Sequence, residues 1–205
     1  MAGKLIIAGA GGFGREVADW AAQSGWDVLG FIDDNFRALE GIPAEVPLLG
    51  SIAEHQPDPS AQYAVAIAKP AAKAAVWEML AVRSASFGSI VHPTVVLGSS
   101  VELGPGAILC PGCVLTNAIR LGRGVTLNLH CCIGHDCVLG DFCHLNSYTQ
   151  LGGNTDFAER VTTGAHACLL PGSRVGAGAM VGAGAVVTRP VKPGKTVFGN
   201  PARVI

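Results

Sequence analysis

The fold is most evident in residues 121–157, which read LGRGVTLNLHCCIGHDCVLGDFCHLNSYTQLGGNTDF. In this stretch an apolar residue recurs at every sixth position, from Leu121 to Phe157. The same register runs from Val91 to Val187, and sixteen of its seventeen positions are apolar, Thr163 being the exception. Neither a helical heptad nor an alternating strand keeps a six-residue period over about a hundred residues. The sequence therefore predicts a repeat architecture for this part of the chain.

This period resembles the hexapeptide repeat of the left-handed parallel β-helix, in which three short strands make one triangular coil of 18 residues. The resemblance implies that residues 86–205 form such a coil. Small residues recur four places after the apolar ones, and cysteines fill this position at Cys113, Cys131, Cys137 and Cys143. A buried thiol acts as a compact apolar group, so these cysteines are predicted to be core residues instead of metal ligands. The odd total of seven cysteines also argues against a disulfide framework.

Residues 1–85 follow a different pattern, in which apolar strands alternate with helices. This alternation is typical of a small parallel sheet with helices on its faces. The predicted strands are Lys4–Ala8, Asp27–Ile32 and Tyr63–Ala68, and the predicted helices are Gly14–Ser24 and Pro70–Val82. The chain is therefore predicted to be α/β, with a Rossmann-like half domain over residues 1–85 followed by a parallel β-helix over residues 86–205.

A glycine-rich loop, Gly9-Ala10-Gly11-Gly12-Phe13-Gly14, joins the first strand to the first helix. It satisfies the pattern G-x-G-x-x-G, whose glycines permit a tight turn and let a diphosphate approach the N–H groups of a helix N-terminus. Asp33 and Asp34, about 20 residues further on, lie where a carboxylate meets a ribose hydroxyl or a base N–H. The segment is too short for both halves of a dinucleotide fold, so it predicts a nucleoside diphosphate site instead of an NAD site. The alternative is a glycine turn that only packs a helix on a strand.

The composition excludes several classes of function. Charged residues make up 14% of the chain and the formal net charge is −1, so no broad basic surface is available for nucleic acid. No run of 18 apolar residues is present to span a membrane. The N-terminus has a single early lysine, Lys4, before a glycine-broken strand, which is unlike a signal peptide. We expect a cytoplasmic protein with neither a nucleic-acid nor a membrane partner.

A candidate acyl-transfer site follows from the coil register. His135 stands two places after the apolar Ile133, so its side chain points outward. Gly153 comes 18 residues later and stacks on His135 at about the 4.8 Å spacing of neighbouring strands. A base then lies next to a backbone N–H that no side chain shields, which suits an acyl carbonyl held between them. Asp136 is placed to hold the tautomer of the imidazole and to support its charge.

The order of these parts resembles that of bacterial acetyltransferases that act on nucleotide-linked aminosugars, and of their relatives the sialic acid O-acetyltransferases. The residues that carry the resemblance are the glycine-rich loop, Ile133-Gly134-His135-Asp136-Cys137, Asn128, His144 and the sequence Gly-Asn-Pro-Ala at 199–202. The resemblance implies a homotrimer that uses acetyl-CoA and holds a sugar nucleotide in its N-terminal domain. The chain departs from the family at Gly12-Phe13-Gly14-Arg15, where the aminosugar enzymes often have Gly-His-Gly-Lys.

The resemblance also implies roles for individual residues. His135 is implied to be the general base and the Gly153 N–H to stabilise the oxyanion, while Asn128 and His144 contact the acetyl or acceptor region. Pantetheine is expected to extend along the coil axis toward the C-terminal coils. The residues expected to contact acetyl-CoA are His144, Gly153, Gly164, Ala165, Ala183 and Pro201.

The expected reaction is acetyl transfer from acetyl-CoA to the amino group of a nucleotide-linked amino-dideoxyhexose, in glycan or surface-polysaccharide biosynthesis. Sugar O-acetylation needs the same base and the same oxyanion donor, so it is the alternative. Two further classes are a non-catalytic β-helix and a zinc enzyme similar to the γ-class carbonic anhydrases, which share the spacing His130-x4-His135. Zinc there needs a third imidazole from an earlier coil. That column holds Gly112 and Thr94, so no metal is expected.

Overall fold

The structure, a computed structural model, describes residues 3–205. The strands of its N-terminal domain are β1 (Lys4–Ala8), β2 (Asp27–Ile32), β3 (Leu48–Gly50), β4 (Ala61–Val65) and β5 (Ser86–Phe87). They form one parallel sheet in the order β3-β2-β1-β4-β5. The helices are α1 (Gly12–Gln23) and α2 (Pro70–Val82), and within the described chain neither is long and apolar enough to cross a bilayer.

The two helices cover opposite faces of this sheet. Successive side chains of a strand point to opposite sides. Leu5 and Ile7 of β1 accordingly pack in the same cluster as α1, and Ile6 and Ala8 pack in the same cluster as α2. The central strand β1 is thereby buried on both sides, which explains its continuous apolar run.

Three predicted elements of this domain, β1, β2 and α2, have the bounds expected from the sequence. Helix α1 begins two residues earlier than predicted, and β4 covers Ala61–Val65 where the sequence predicted Tyr63–Ala68. The short strands β3 and β5 are not evident from the sequence. Because β5 pairs with β4, the N-terminal sheet extends to Phe87, two residues beyond the predicted domain boundary.

The remaining strands wind into a triangular β-helix with three faces. The first face contains β6 (Ile90–Val91), β9 (Ile108–Leu109), β12 (Thr126–Leu127), β15 (His144–Leu145), β18 (Thr162–Thr163), β21 (Met180–Val181), β23 (Thr196–Phe198) and β24 (Arg203–Val204), of which only β24 is antiparallel. The second contains β7 (Val96–Leu97), β10 (Val114–Leu115), β13 (Cys132–Ile133), β16 (Gln150–Leu151), β19 (Cys168–Leu169) and β22 (Val186–Val187). The third contains β8 (Glu102–Leu103), β11 (Arg120–Leu121), β14 (Val138–Leu139), β17 (Asp156–Phe157) and β20 (Arg174–Val175).

The outward residues of these strands distinguish the faces. On the first face, named here the docked face, the N-terminal domain buries Ile90, Ile108, Thr126 and His144. On the second, the uncharged face, the outward residues are Val96, Val114, Cys132, Gln150, Cys168 and Val186, all at least partly exposed. On the third, the charged face, they are Glu102, Arg120, Val138, Asp156 and Arg174. Two faces of the coil are thus open in a single chain, and one of them carries no charge along its strands.

The coil interior follows the six-residue register. The cysteines at the small position, Cys113, Cys131, Cys137 and Cys143, are all buried and unpaired, as the sequence predicts. Thr163, the exception in the apolar register, is also fully buried. Its hydroxyl lies 2.7 Å from the hydroxyl of Thr149, so the two polar groups satisfy each other inside the coil.

The N-terminal domain is fixed to the docked face by apolar packing and by polar contacts. Ile90, Ile108 and Cys110 share one core with α1 and β1. Trp77 of α2 packs edge to face with Phe142 at a centroid distance of 5.6 Å. The polar contacts between the domains include Lys73–Thr126 at 2.7 Å, His92–Gln23 at 2.7 Å and Arg123–Glu78 at 3.1 Å.

Candidate active site

His135 and Asp136 lie at the corner where the uncharged face turns into the charged face, between β13 and β14. Nδ1 of His135 lies 2.7 Å from Oδ2 of Asp136, and the two side chains are 63% and 56% exposed. Because a carboxylate only accepts hydrogen bonds, this contact places the ring proton on Nδ1 and leaves the lone pair of Nε2 free. Asp136 has a φ of +58°, a left-handed conformation that aspartate adopts more readily than most residues.

Gly153 occupies the same corner one coil further along. A Cβ atom on Gly153 would lie 2.6 Å from both Nε2 and Cε1 of His135, so the imidazole fills the place of the missing side chain. A Cβ atom on Gly134 would lie 2.6 Å from the Gly153 nitrogen, so this glycine also keeps the N–H accessible. Within residues 3–205 the Gly153 N–H donates no hydrogen bond. A free base nitrogen and a free N–H donor therefore lie side by side.

The glycine-rich loop lies at the carboxyl end of β1, beside β4, where the order of the parallel strands reverses. Such a switch point is the usual ligand-binding crevice of a parallel sheet. A Cβ atom on Gly14 would overlap the Gly9 carbonyl, so strand and helix approach this closely only because position 14 is glycine. No atom lies within 4 Å of the Cβ position of Gly11, which leaves the space over the N-terminus of α1 open.

Of the two predicted acidic residues, Asp33 braces this loop and Asp34 braces the segment after β3. Oδ2 of Asp33 accepts the Ala10 N–H at 2.7 Å, and its Oδ1 accepts the Asn35 N–H at 2.8 Å. Oδ1 of Asp34 accepts the Ala53 N–H at 3.0 Å. A carboxylate has about four acceptor positions, so both side chains keep capacity for a ligand.

His144 lies on the docked face beneath the glycine-rich loop. It is 2% exposed, and the ring of Phe13 meets it edge on at a centroid distance of 5.6 Å. Its Nδ1 is buried and has no hydrogen-bond partner among residues 3–205. Burial, with a smaller contribution from the Lys73 ammonium, lowers the pKa of His144 to about 4. The ring is therefore neutral at neutral pH.

One chain keeps its predicted site residues in separate groups. His135 and Gly153 share the corner between the uncharged and charged faces, whereas Phe13 and His144 lie on the docked face. These two groups therefore lie on different sides of the triangular β-helix. The chain by itself therefore does not bring the predicted base to the predicted acceptor region.

The residues predicted to bind the cofactor form a third group. Asn128, Gly164 and Ala165 lie where the docked face turns into the uncharged face, and Ala183 lies at the same corner one coil later. A Cβ atom on Gly164 would overlap the Ala183 nitrogen, so these corners stack closely. Pro201 lies between β23 and β24, at the C-terminal end of the docked face. This group therefore borders the surface that carries His144.

Stacked rings occupy that same corner of the coil. His130, Tyr148 and His166 lie nearly parallel, with centroid distances of 5.1 and 4.8 Å. The His130 ring belongs to this stack and lies on a different corner from His135. In the part of the chain that the structure describes, no three His, Cys, Asp or Glu side chains are grouped so as to hold a metal ion.

Both halves of the chain are similar to known proteins. The family described as the PglD N-terminal domain matches residues 4–80. The acetyltransferase domain of PglB from Neisseria gonorrhoeae FA1090 is 30% identical, with a TM-score of 0.92 and a match that covers 100% of both chains. The same domain is known in complex with acetyl coenzyme A. A comparison with curated proteins found no match.

Two further proteins share the whole architecture. A mutant of perosamine N-acetyltransferase from Caulobacter crescentus, in complex with CoA and GDP-perosamine, is 26% identical with a TM-score of 0.92, over 100% of this chain and 98% of the other. WeeI from Acinetobacter baumannii AYE is 28% identical with a TM-score of 0.86, over 98% of this chain and 99% of the other.

The chain belongs to the left-handed β-helix N-acetyltransferases of nucleotide-linked aminosugars. This membership confirms the predicted fold, an N-terminal Rossmann-like unit followed by a left-handed β-helix. It also confirms the predicted class of enzyme, an acetyl-CoA-dependent sugar acetyltransferase with acetyl-CoA as co-substrate.

Two residues beside His144, Lys73 and Thr126, are absent from the sequence prediction. Lys73 of α2 is 1% exposed, and its Nζ donates a hydrogen bond to Oγ1 of Thr126 at 2.7 Å. The sequence held one signal for Lys73. It precedes Trp77 and Leu80 by four and seven residues, the spacing of a buried helix stripe, and lysine is rare on such a stripe.

Proposed function

We propose that this enzyme transfers the acetyl group of acetyl-CoA to the amino group of a nucleotide-linked 4-amino-4,6-dideoxyhexose, for the biosynthesis of a glycan or surface polysaccharide. The observation that carries the proposal is the pairing of a free imidazole nitrogen on His135 with the free N–H of Gly153. The perosamine N-acetyltransferase in complex with both CoA and GDP-perosamine supports a nucleotide sugar as the acceptor.

In the proposed reaction the acceptor amine attacks the thioester carbonyl carbon, and Nε2 of His135 takes its proton. The new C–N bond gives a tetrahedral intermediate, whose oxyanion accepts a hydrogen bond from the Gly153 N–H. The C–S bond then breaks, and the departing CoA sulfur takes the proton from the imidazolium. Asp136 stabilises the imidazolium through its 2.7 Å contact with Nδ1.

The nucleotide part of the acceptor is proposed to bind at the glycine-rich loop. The open space over Gly11 lies at the N-terminus of α1, where free N–H groups and the helix dipole favour a diphosphate. Asp33 and Asp34 flank the loop, and their remaining lone pairs suit the hydroxyls of a ribose or the ring N–H of a base. Phe13 and His144 then border the sugar ring.

Acetyl-CoA is proposed to lie along the corner that carries Gly164, Ala165 and Ala183, with its acetyl end near Asn128 and its nucleotide toward Pro201. The coil that contains His135 and the strand around Val187, just after Ala183, are about three strand spacings apart, or roughly 14 Å. A chain ending at Thr188 should therefore keep the His135 corner but bind acetyl-CoA more weakly in calorimetry. An unchanged affinity would show that the cofactor runs in the other direction.

We propose that a homotrimer completes the site. The uncharged face offers a surface without charged strand residues, which suits the core of an interface. If three chains pack through the uncharged face, the His135 corner of one chain lies against the next chain's corner between the docked and uncharged faces, which carries Asn128 and Gly164. Light scattering should give three times the chain mass, and a monomer at micromolar concentration would contradict the shared site.

A mixed trimer tests whether two chains share one site. One chain carries His135→Ala and the other carries Gly14→Ala, so each lacks one half of the proposed site. At a sugar-nucleotide concentration below the KM of Gly14→Ala, co-expressed and co-purified chains should be more active than either variant alone. Mixed trimers that are no more active than either variant would mean that base and acceptor belong to the same chain.

The proposed partners are thus acetyl-CoA, a nucleotide sugar and two further copies of the chain, without nucleic acid or membrane. All seven cysteines are unpaired in the structure. Unpaired thiols are typical of a reducing compartment. We therefore place the reaction in the cytoplasm.

The direct test of the function measures CoA release from acetyl-CoA over a panel of nucleotide-linked sugars. Chromatography is the suitable detection, because the exposed Cys132 would react with a thiol reagent. A 4-amino sugar and its 4-hydroxy counterpart on the same nucleotide form the matched pair. Acetylation of the amino sugar alone is expected. Acetylation of the hydroxy sugar alone would mean that the enzyme is an O-acetyltransferase and not an N-acetyltransferase. If neither sugar supports the release of CoA, the proposal is overturned.

A further inference from the structure

Lys73 is a buried charge that the proposed mechanism does not use. It lies in the first turn of α2, and among residues 3–205 it forms no ion pair. An ammonium carries three donors, but Nζ makes one hydrogen bond, to Oγ1 of Thr126. Burial lowers the pKa of Lys73 to about 7. A cation held in this way costs stability that an apolar side chain of similar size would not cost.

Lys73 reaches the docked face next to His144. Thr126 and His144 pair directly on β12 and β15, so their outward side chains are one strand spacing apart, about 4.8 Å. The ammonium on Thr126 therefore lies close to an imidazole whose Nδ1 has no partner among the described residues. Water does not screen charges in such a buried place as it does at a surface.

The other groups around this interface do not compensate the ammonium. Cys110, which follows β9, is buried, and burial raises the pKa of its thiol, so it is uncharged at neutral pH. Glu16 of α1 also acts on Cys110 but is exposed to solvent. On β18 the residue next to His144 is Thr162, which carries no charge. His144 therefore faces a cation without a nearby buried anion.

We propose that Lys73 is a positioning residue, which through its buried ammonium and its bond to Thr126 adds to the effect of burial and extends the neutral state of the His144 imidazole into the acidic range. His144 then meets the acceptor as a hydrogen-bond partner and never as an acid or a second base. This inference rests on the proposed function for the identity of the acceptor. The coupling between Lys73 and His144 itself does not depend on any substrate.

The coupling is tested by a nuclear magnetic resonance titration of His144 in the full chain without substrates. In Lys73→Met the pKa of His144 should rise by about one unit, the usual effect of removing a nearby like charge. It should stay below the ordinary value of about 6.5, because burial persists. Lys73→Arg keeps the charge and should keep the pKa low. An unchanged pKa in Lys73→Met would overturn the proposal.

Controls separate charge from folding. Lys4→Met removes an exposed lysine at the amino end of the central strand β1, the end away from the glycine-rich loop, and should leave the pKa of His144 unchanged. Thr126→Val keeps the shape of that side chain but removes the acceptor of the Lys73 bond, so it should shift the pKa of His144 if the bond fixes the ammonium. Lys73→Met should melt at or above the wild-type temperature, because a buried cation is lost. A lower melting temperature would mean that Lys73 serves the fold and would count against the proposal.

The functional consequence is tested by the pH dependence of kcat/KM for the acceptor. Wild type and Lys73→Met share every other residue of the site, so the contributions of those residues to the pH profile cancel in the ratio of the two enzymes. If the pKa of His144 is one unit higher in the variant, the ratio of the wild-type kcat/KM to the variant kcat/KM should increase about two-fold as the pH falls from 7 to 5. A ratio independent of pH would indicate a purely structural role and overturn the proposal. If no nucleotide aminosugar is a substrate, the proposed function fails, but the titration of His144 still decides the coupling.

Discussion

The corner at His135 and the interface at His144 place the same side chain in two opposite environments. His135 is more than half exposed, and its Nδ1 lies 2.7 Å from a carboxylate oxygen that stabilises the imidazolium formed during the reaction. His144 is buried under Phe13 beside an ammonium, and burial above all opposes protonation. The first ring is suited to carry a proton during the reaction, and the second is suited to remain neutral. The position of each histidine in the coil, more than the residue type, therefore determines its chemical role.

Removing the base should have the largest effect. His135→Ala should lower kcat about 10²–10⁴-fold at neutral pH, while KM for both substrates changes little. Asp136→Asn should cost less, because the imidazole remains and loses only its orienting partner. Steady-state kinetics measure both losses, and the melting temperature of each variant controls for folding. A His135→Ala enzyme that keeps most of its kcat would move the chemistry away from this corner.

Filling the space beside the base should have the next largest effect. In Gly153→Ala the new Cβ atom meets the imidazole of His135 at 2.6 Å and displaces it, which should lower kcat by about 10². The fold should tolerate the change, because Ala165 and Ala183 stand at the same step of the six-residue register, two places after Thr163 and Val181, although at another corner of the coil. In a His135→Ala background the same substitution should add little further loss. Multiplied losses in the double variant would contradict a shared site.

Two substitutions in the glycine-rich loop, Gly14→Ala and Gly11→Ala, form a matched pair that tests the proposed binding of the nucleotide sugar. Gly14→Ala would force apart β1 and α1, so it should destabilise the domain by about 1–3 kcal/mol and raise KM for the nucleotide sugar. Gly11→Ala meets no atom of the protein within 4 Å, so it should leave the melting temperature unchanged and raise KM alone. Equal melting temperatures with equal KM values in both variants would count against a diphosphate at this loop.

The smallest expected effect concerns stability around His144. The pKa of Lys73 is about 7 in the folded chain and about 10.4 when unfolded, so the folded state binds fewer protons between these values. The cost of burying Lys73 is therefore complete below pH 7 and fades as the pH rises toward 10. Lys73→Met should gain about 1 kcal/mol of unfolding free energy at pH 6 and less at pH 9. Denaturant titrations at the two pH values measure this difference, and equal gains would contradict a charged Lys73.

The β-helix and the His135 corner were within reach of the sequence, because a strict period converts distance along the chain into position in space. Residues 18 apart occupy the same corner of adjacent coils, so the contact of His135 with Gly153 follows from counting. The buried cysteines follow from the same register. The stack of His130, Tyr148 and His166 obeys the same 18-residue rule.

The surroundings of His144 were out of reach for the same reason. Lys73 and Thr126 are 53 residues apart and belong to different domains, so their contact depends on which face of the coil the N-terminal domain covers. No period relates the two segments. The strands β3 and β5 also escape prediction, since two or three residues show no alternation and are strands only through pairing with β2 and β4.

The most direct test of the account is the ratio of wild-type kcat to His135→Ala kcat, measured as a function of pH with an amino-sugar acceptor. If His135 is the general base, the ratio should be largest at neutral pH and should shrink as the pH rises, because an increasing share of the acceptor is then the free amine. Gly153→Ala, Asp136→Asn and the double variants provide the reference set at each pH. A ratio that stays constant across the pH range, with acetyl-CoA and acceptor both saturating, would contradict a proton-transfer role for His135.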